Sequence, residues 1–309
     1  MQPATPACRP GIIRGMRRLA DAREHLDGAL ADRDVLDGNL RDLGRINRQL
    51  GGAELSRRAT AALVASSRSR GRALPSGTDP RPLRIVDVGA GACDIALSLT
   101  KATGPWSSIH VTAVDSRTEI LEAARRVTPG LDGREDLALE LADGRGLPYP
   151  DATFDVAHAS LVVHHLAGDE AVGFLRELAR VARVGIVIND LERGWLAWLG
   201  AWLVLHAMTR NAFTLHDGPL SVRRSYTARE MRDLMVEAGL RPVDASNRQQ
   251  LLTAATAAQT TAQNFCGPRI AVRVPLKSAT VKGVKVFKLS GTTDKSLRDT
   301  DVLKLFCTP

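Results

Sequence analysis

Residues 83–100, LRIVDVGAGACDIALSLT, constrain what this chain can fold into more than any other stretch. Leu83, Ile85, Val86 and Val88 form a short apolar run rich in β-branched residues, which suits a strand covered on both faces. Gly89 and Gly91 follow at once, and glycine lets a backbone turn tightly and approach a ligand with no Cβ in the way. Ile95, Ala96, Leu97 and Leu99 start a helix whose free N–H groups point back into that turn, a setting for polar or anionic ligand groups. Asp87 lies at the strand end and Asp94 in the first helical turn. By itself a Gly-x-Gly turn is a weak signal, because many α/β proteins connect a strand to a helix this way and bind nothing there.

The spacing downstream strengthens it. Residues 109–114 read as a second strand with Asp115 at its end, 24 residues beyond Gly91. A carboxylate at that place accepts hydrogen bonds from ribose hydroxyls, or simply caps the helix expected over 116–127. A third strand is expected over 137–141, followed by Ala142, Asp143 and Gly144, and a fourth over 154–159. Ser160 to Leu166 then runs through the pair His164-His165. An amphipathic helix over 171–182 and a fifth strand over 185–188, ending in Asn189-Asp190, complete the series. Strands alternating with helices at this rhythm predict an α/β fold with a doubly wound, Rossmann-like, mostly parallel sheet.

Around that unit the chain divides into parts. Residues 1–16 read as a disordered leader without the apolar core of a secretion signal, and Met16 is a possible start. Leu36, Leu40, Leu43, Ile46, Asn47 and Leu50 recur at spacings of three and four, and Gly51-Gly52 ends that stripe. With a second helix over 53–65, residues 17–67 are expected to form an N-terminal helical cap. It either packs outside the core or lies as a lid with Asn39, Arg45 and Asn47 at its polar edge. Residues 68–81 are rich in Gly, Pro and Ser and read as a linker. The main domain is expected over 82–245, with a helical insert at 191–224 after strand five.

At this point the residues resemble the class I S-adenosylmethionine-dependent methyltransferases, over roughly 81–240. The motifs VDVGAGACD, the strand-end Asp115, ADGRGLPYPDATFD and ASLVVHHL stand in that family's order and spacing. The resemblance implies a methyltransferase with S-adenosyl-L-methionine as cofactor. Asp87, Gly89, Ala90, Gly91 and Asp94 are then expected around its methionine part, Asp115 and Ser116 at its ribose, Ala142, Asp143 and Gly144 at its adenine, and Ser160 beside it. Relatives often carry glycine where this chain has Cys93, which bears on the local turn. NLRDLGRINRQLGG and VINDLERGWLAWLGAWL also look like a bacterial subgroup related to the ubiquinone and menaquinone methyltransferases.

Methyl transfer from a sulfonium is an in-line displacement, so the protein mainly aligns the acceptor and excludes water. If the acceptor is a phenol or enol, a histidine is suited to take its proton. His165, His164 and His216 are the candidates, with core hydrogen bonding as the plain alternative for each. Trp195, Trp198 and Trp202 fall on one helical face, and with Asn189 they are the expected acceptor contacts, although an aromatic stripe is as often core. Residues 214–221 are expected to form a polar loop closing the pocket, and 226–239 a last helix with Thr227 as its cap and Glu230 three residues on.

Charge decides against nucleic acid as partner. Of the net +8, residues 246–309 hold +7, ten Lys and Arg against three Asp, which leaves the body near neutral. An apolar small molecule, aromatic, polyketide or quinone-like, is the expected acceptor. A fold that binds cofactor without transferring methyl, and an RNA methyltransferase, are the competing readings. Cys8, Cys93, Cys266 and Cys307 are far apart, so neither a zinc site nor a disulfide framework is indicated, and a cytoplasmic setting fits. No apolar run is long enough for a membrane span. Past residue 245 the composition shifts: Lys101 is the single lysine before residue 277, and six lysines follow. That basic tail does not resemble the family's usual two closing strands.

Overall fold

The computed structural model describes residues 15–240 except 31, 70, 72, 73, 76–80, 103, 105 and 107, and beyond them the backbone of three short strands. Most of the leader, most of the linker and most of the basic tail lie outside the described residues.

The strands β1 (Leu83–Val88), β2 (Ile109–Asp115), β3 (Leu137–Leu141), β4 (Phe154–Ser160) and β5 (Ala182–Asp190) make a parallel sheet in the order β3-β2-β1-β4-β5. A sixth strand, β6 (Ile270–Arg273), runs parallel along β5, pairing with Val187 to Asp190. Part of the tail thus covers the outer edge of β5. The strands β7 (Ala279–Val281) and β8 (Val284–Val286) form a separate antiparallel pair.

Alternation along β1 assigns the two faces. Leu83 and Ile85 point into one core, and Val86 and Val88 into the other, as period-two side chains must. The first core is closed by α2 (Gly52–Ser69) and α3 (Asp94–Leu99), the second by α5 (Gly168–Val181) and α8 (Ala228–Glu237). Leu55, Leu63 and Val64 of α2 are fully buried. This helix is therefore a layer of the sheet's own core, whereas its sequence suggested a cap. The remaining N-terminal helix, α1 (Arg33–Gln49), does lie outside, its Leu36 and Leu40 packed with Ala92 and with Ile120 and Ala123 of α4 (Thr118–Val127).

After β5 come α6 (Trp195–Met208) and α7 (Ala212–Arg224). The polar loop expected over 214–221 is instead the middle of α7. The Asn211 side chain accepts the Thr214 N–H at 3.1 Å and caps the helix, which runs on through Gly218 and Pro219. Thr227 and Glu230 form the expected capping box at the start of α8.

Candidate active site

The order β3-β2-β1-β4-β5 reverses direction between β1 and β4, and in open α/β sheets ligands bind at the carboxyl ends of the strands at that switch point. The glycine turn sits there. Gly89 and Gly91 have φ of +72° and +51°, and the N–H groups of Gly89 and Ala90 both donate to Val114 O at 2.9 Å. A Cβ on Gly89 would meet Val162 Cγ2 at 2.4 Å, while one on Gly91 would meet nothing within 4 Å. The turn is thus packed on one side and open on the other. Cys93 occupies the left-handed region too, with φ +55°, so the position where relatives often have glycine does require glycine's conformation. Its thiol is sealed, and burial together with Asp87, Asp115 and Asp94 pushes its pKa up.

Asp115 braces the turn. One carboxylate oxygen accepts the Gly91 N–H at 3.1 Å and the other the Arg117 N–H at 3.2 Å. Burial raises its pKa, and those backbone bonds work against the rise. Ser116 is exposed beside it. Ala142 is stapled to the same corner, its N–H donating to Asp115 O at 3.0 Å. Asp143 is exposed and held by Arg145, whose Nη2 donates at 2.8 Å and which keeps that carboxyl below its usual pKa range. Gly144 leaves no room for a side chain, since a Cβ would lie 2.6 Å from Val88 Cγ1 and 2.7 Å from Phe174 Cε2. At the end of β4 the hydroxyl of Ser160 is buried without a hydrogen-bond partner. Asp94, in the first turn of α3, takes a hydrogen bond from Asn47 Nδ2 at 3.1 Å.

Two residues expected at ligands face inward. Asp87 meets His158 Nδ1 at 2.6 Å, the far nitrogen of that ring is 2.9 Å from Ser56 Oγ, and Asn189 Nδ2 donates to the same hydroxyl at 2.9 Å and to Gly52 O at 3.1 Å. Asn189 and His158 are completely buried and Asp87 nearly so. Asn189 is therefore not an acceptor contact, and Asp87 supports the turn through the network that ties β1, β4 and β5 to α2. The reason is strand parity, which turns both side chains toward α2.

The loop after β4 forms the facing wall. Leu161 adopts φ +57°, unusual for a bulky residue, with its N–H on Asn189 O. A single 3-10 turn, Val163–His165, then presents two imidazoles whose rings lie 4.2 Å apart. His164 is buried, with Nδ1 2.7 Å from Asp190 Oδ1 and its own N–H on Asp190 Oδ2 at 3.0 Å. His165 is a quarter exposed, with Nδ1 2.9 Å from Asp27 Oδ1. Glu24 lies opposite both, buried, with its oxygens 3.7 Å from His164 Nε2 and 3.8 Å from His165 Nε2.

Glu24 and Asp27 arrive on a turn, His25–Asp27, that α7 clamps in place. The two oxygens of Asp217 accept the N–H groups of His25 and Leu26 at 2.8 and 3.0 Å, and Arg224 Nη1 reaches Asp27 at 2.5 Å and Glu24 at 3.2 Å. Arg18 adds bonds to the carbonyls of His164, Leu166 and Arg224. Nothing local in the sequence marks Glu24, Asp27, Asp217 or Arg224, because each gains its role from a partner far away along the chain.

His216 and the tryptophans are placed differently from expectation. His216 is exposed on α7, 2.7 Å from its neighbour Asp217, with its ring 4.0 Å from that of His25. On α6, Trp195 and Trp202 are 56% and 40% exposed, with Leu196, Leu199 and Leu203 beside them, while Val204 and Leu205 are buried. Trp198 is half-buried and edge-on to Trp195. The stripe is thus a surface rather than a pocket wall. This helix is apolar around its whole circumference, so periodicity could not say which side packs. Asn39 and Asn47, expected at a lid's edge, fasten α1 to Thr214 of α7 and Asp94 of α3, and Arg45 reaches Asp42 and Met208 O.

Residues 85–185 match the family model described as a methyltransferase domain. An uncharacterized 37.1 kDa protein in a transposon of Streptomyces fradiae is 30% identical over 56% of this chain and 48% of its own length. The 27-O-demethylrifamycin SV methyltransferase of Amycolatopsis mediterranei is 32% identical over 33% of this chain and 35% of its own. A ubiquinone/menaquinone biosynthesis C-methyltransferase of Laribacter hongkongensis is 22% identical over 53% of this chain and 70% of its own. The chain thus spans less than half of the first two relatives.

Proposed function

We propose that this chain, whose residues 85–185 match a methyltransferase domain, is a class I S-adenosylmethionine-dependent methyltransferase that transfers a methyl group to an oxygen or carbon of a small apolar acceptor. The observation that carries the reading is the built corner at the switch point. Asp115 braces the open side of Gly91, and the buried, unpartnered Ser160 hydroxyl lies at the end of β4. Those groups fit a nucleoside-bearing cofactor: a carboxylate for vicinal hydroxyls, a bare backbone that tolerates close approach, and a hydroxyl in need of a partner. When bound, S-adenosyl-L-methionine supplies an electrophilic methyl carbon on a sulfonium. Asp115 and Ser116 would hold the ribose end, Gly89 to Gly91 and Asp94 the methionine end, and Ala142 to Gly144 the adenine.

The protein's remaining tasks are alignment and proton handling. The wall made by Glu24 on the N-terminal turn and by His164 and His165 on the loop that packs against the glycine turn offers Lewis-basic atoms, where a phenol or enol acceptor would give up its proton. The names of the relatives from Amycolatopsis and Laribacter, and the near-neutral body, support an aromatic, polyketide or quinone-like acceptor. Among the described residues no helix is long and apolar enough to cross a membrane.

Calorimetric titration with S-adenosylhomocysteine tests the cofactor end, with Asp115→Ala expected to weaken binding at least tenfold; undiminished binding would reject the assignment. Transfer of labelled methyl to a panel of phenols, quinols and bulk tRNA tests the acceptor end. Label in tRNA alone would reject the small-molecule reading, and no transfer despite tight cofactor binding would leave a binding module.

A further inference from the structure

We propose that Glu24, His164 and His165 form a binding site for one divalent transition-metal cation of the zinc, cobalt or nickel class. Each donates one atom, and those atoms all lie within 4.8 Å of one another. His164 Nε2 and His165 Nε2 stand 3.7 and 3.8 Å from the two oxygens of Glu24. Those separations are too long for hydrogen bonds. They are a few tenths of an ångström wider than the roughly 3.4 Å between donors around a tetrahedral ion with bonds of about 2.1 Å.

The second nitrogen of each ring faces a carboxylate. His164 Nδ1 is 2.7 Å from Asp190 Oδ1, and His165 Nδ1 is 2.9 Å from Asp27 Oδ1. A histidine whose Nδ1–H is donated to a carboxylate turns the Nε2 lone pair outward. This carboxylate–imidazole pairing is how metal-binding histidines are oriented and made more basic. Here His164 makes such a pair with Asp190, His165 Nδ1 lies close to Asp27 without hydrogen-bond geometry, and both Nε2 atoms face one buried carboxylate whose Oε1 makes no hydrogen bond. Without a cation, three electron-rich atoms face one another in a space largely closed to solvent. Arg224 offsets part of that charge from one side, 3.2 Å from Glu24 Oε1 and 2.5 Å from Asp27 Oδ2. Arg18, on the carbonyls of His164 and Arg224, adds a second positive charge against the carboxylates of Glu24, Asp27 and Asp190.

The site needs the whole tertiary arrangement, since Glu24 comes from the N-terminal turn and the histidines from the loop after β4. His165 is the more exposed of the three, which leaves a side open for a further ligand. On the methyltransferase reading above, that ligand is the acceptor's hydroxyl or enol oxygen, whose acidity a cation raises. Cation binding itself does not depend on that reading.

The test uses the full chain without a histidine tag, stripped with a chelator and titrated with CoCl2 by visible absorption and with ZnCl2 by calorimetry. One equivalent is expected to bind, with the visible bands of four- or five-coordinate cobalt. His165→Ala is expected to weaken binding by about tenfold to a hundredfold, and Asp27→Asn, which keeps the side chain's shape but removes the charge beside His165 and Arg224, by about tenfold. His216→Ala, at the nearby surface pair with His25, should change nothing. Absence of stoichiometric binding by the wild type overturns the proposal, as does binding unchanged in His165→Ala or lost in His216→Ala. S-adenosylhomocysteine titration of the His165→Ala protein separates the two readings: retained cofactor binding with lost cobalt binding supports the cation site, and loss of cobalt binding only because the variant fails to fold is excluded by that same retention. Should His165→Ala lose both, Asp27→Asn decides, and unweakened cobalt binding there overturns the proposal.

Discussion

Val162 occupies the space where a side chain on Gly89 would begin, its Cγ2 2.4 Å from the position a Cβ would take. The loop that carries the two histidines is thereby seated directly on the glycine turn. Gly89→Ala meets two costs, a backbone at φ +72° and this collision, whereas Gly91→Ala meets only the first. Gly91→Ala is expected to lose about 1 kcal/mol of stability and Gly89→Ala distinctly more. Adding Val162→Ala to Gly89→Ala should recover part of the difference. A double-mutant cycle in urea, with no coupling between the two positions, would refute the contact.

Cys93 pays for a left-handed backbone that only glycine adopts freely. Cys93→Ala and Cys93→Gly both remove the buried thiol, but only the second relieves φ +55°. The glycine variant is expected to be the more stable of the two by about 1 kcal/mol, against the usual order in which alanine exceeds glycine. Thermal and urea unfolding of the pair measure this, and an alanine variant equal to or above the glycine variant would count against the conformation.

The bridge between α1 and α4 makes part of the stability depend on pH. Arg126 grips Asp37 with two nitrogens, at 2.7 and 3.0 Å, and that hydrogen-bonded pairing holds the Asp37 carboxyl below its usual pKa. A carboxyl depressed in the folded state adds stability above its unfolded pKa of about 3.9 and loses it as the pH falls through the folded value. Asp37→Asn is therefore expected to cost about 1 kcal/mol at neutral pH and progressively less below pH ~4. Urea midpoints of both proteins from neutral pH downward give the difference; a gap that stays constant would exclude the pair as its source.

On α6 the packed side is set by Leu205 and not by the tryptophans. Leu205 is buried, and a Cβ on Gly218 of α7 would lie 2.1 Å from its Cδ1. Leu205→Ala is expected to cost about 2–5 kcal/mol, and Trp195→Ser less than about 0.5 kcal/mol. The reverse ranking in chemical denaturation would mean that the aromatic face is the one inside.

Much of the cofactor corner was legible in residue order because it is built from neighbours. Gly89, Gly91 and Asp115 sit at strand ends whose spacing follows from parallel strands joined by helices, and Asp115 does bond to Gly91. Asp87 and Asn189 were misplaced because motif position says that a residue is near a turn, not which way strand parity points it. His164 and His165 stood out as a pair, yet their carboxylates did not.

By itself the sequence determined the alternation of strands and helices, the parallel sheet, the glycine turn and the capping box at Thr227. These depend on interactions within a few residues and on periodic burial, which local order encodes. Tertiary structure alone decided that α2 covers the sheet, that α6 turns its tryptophans outward, and that Glu24 and Asp27 meet the histidines. Those outcomes depend on contacts between separate elements, from Leu205 against Gly218 on the next helix to Glu24 against His164 far along the chain, and side chains of one type are interchangeable until packing selects a face.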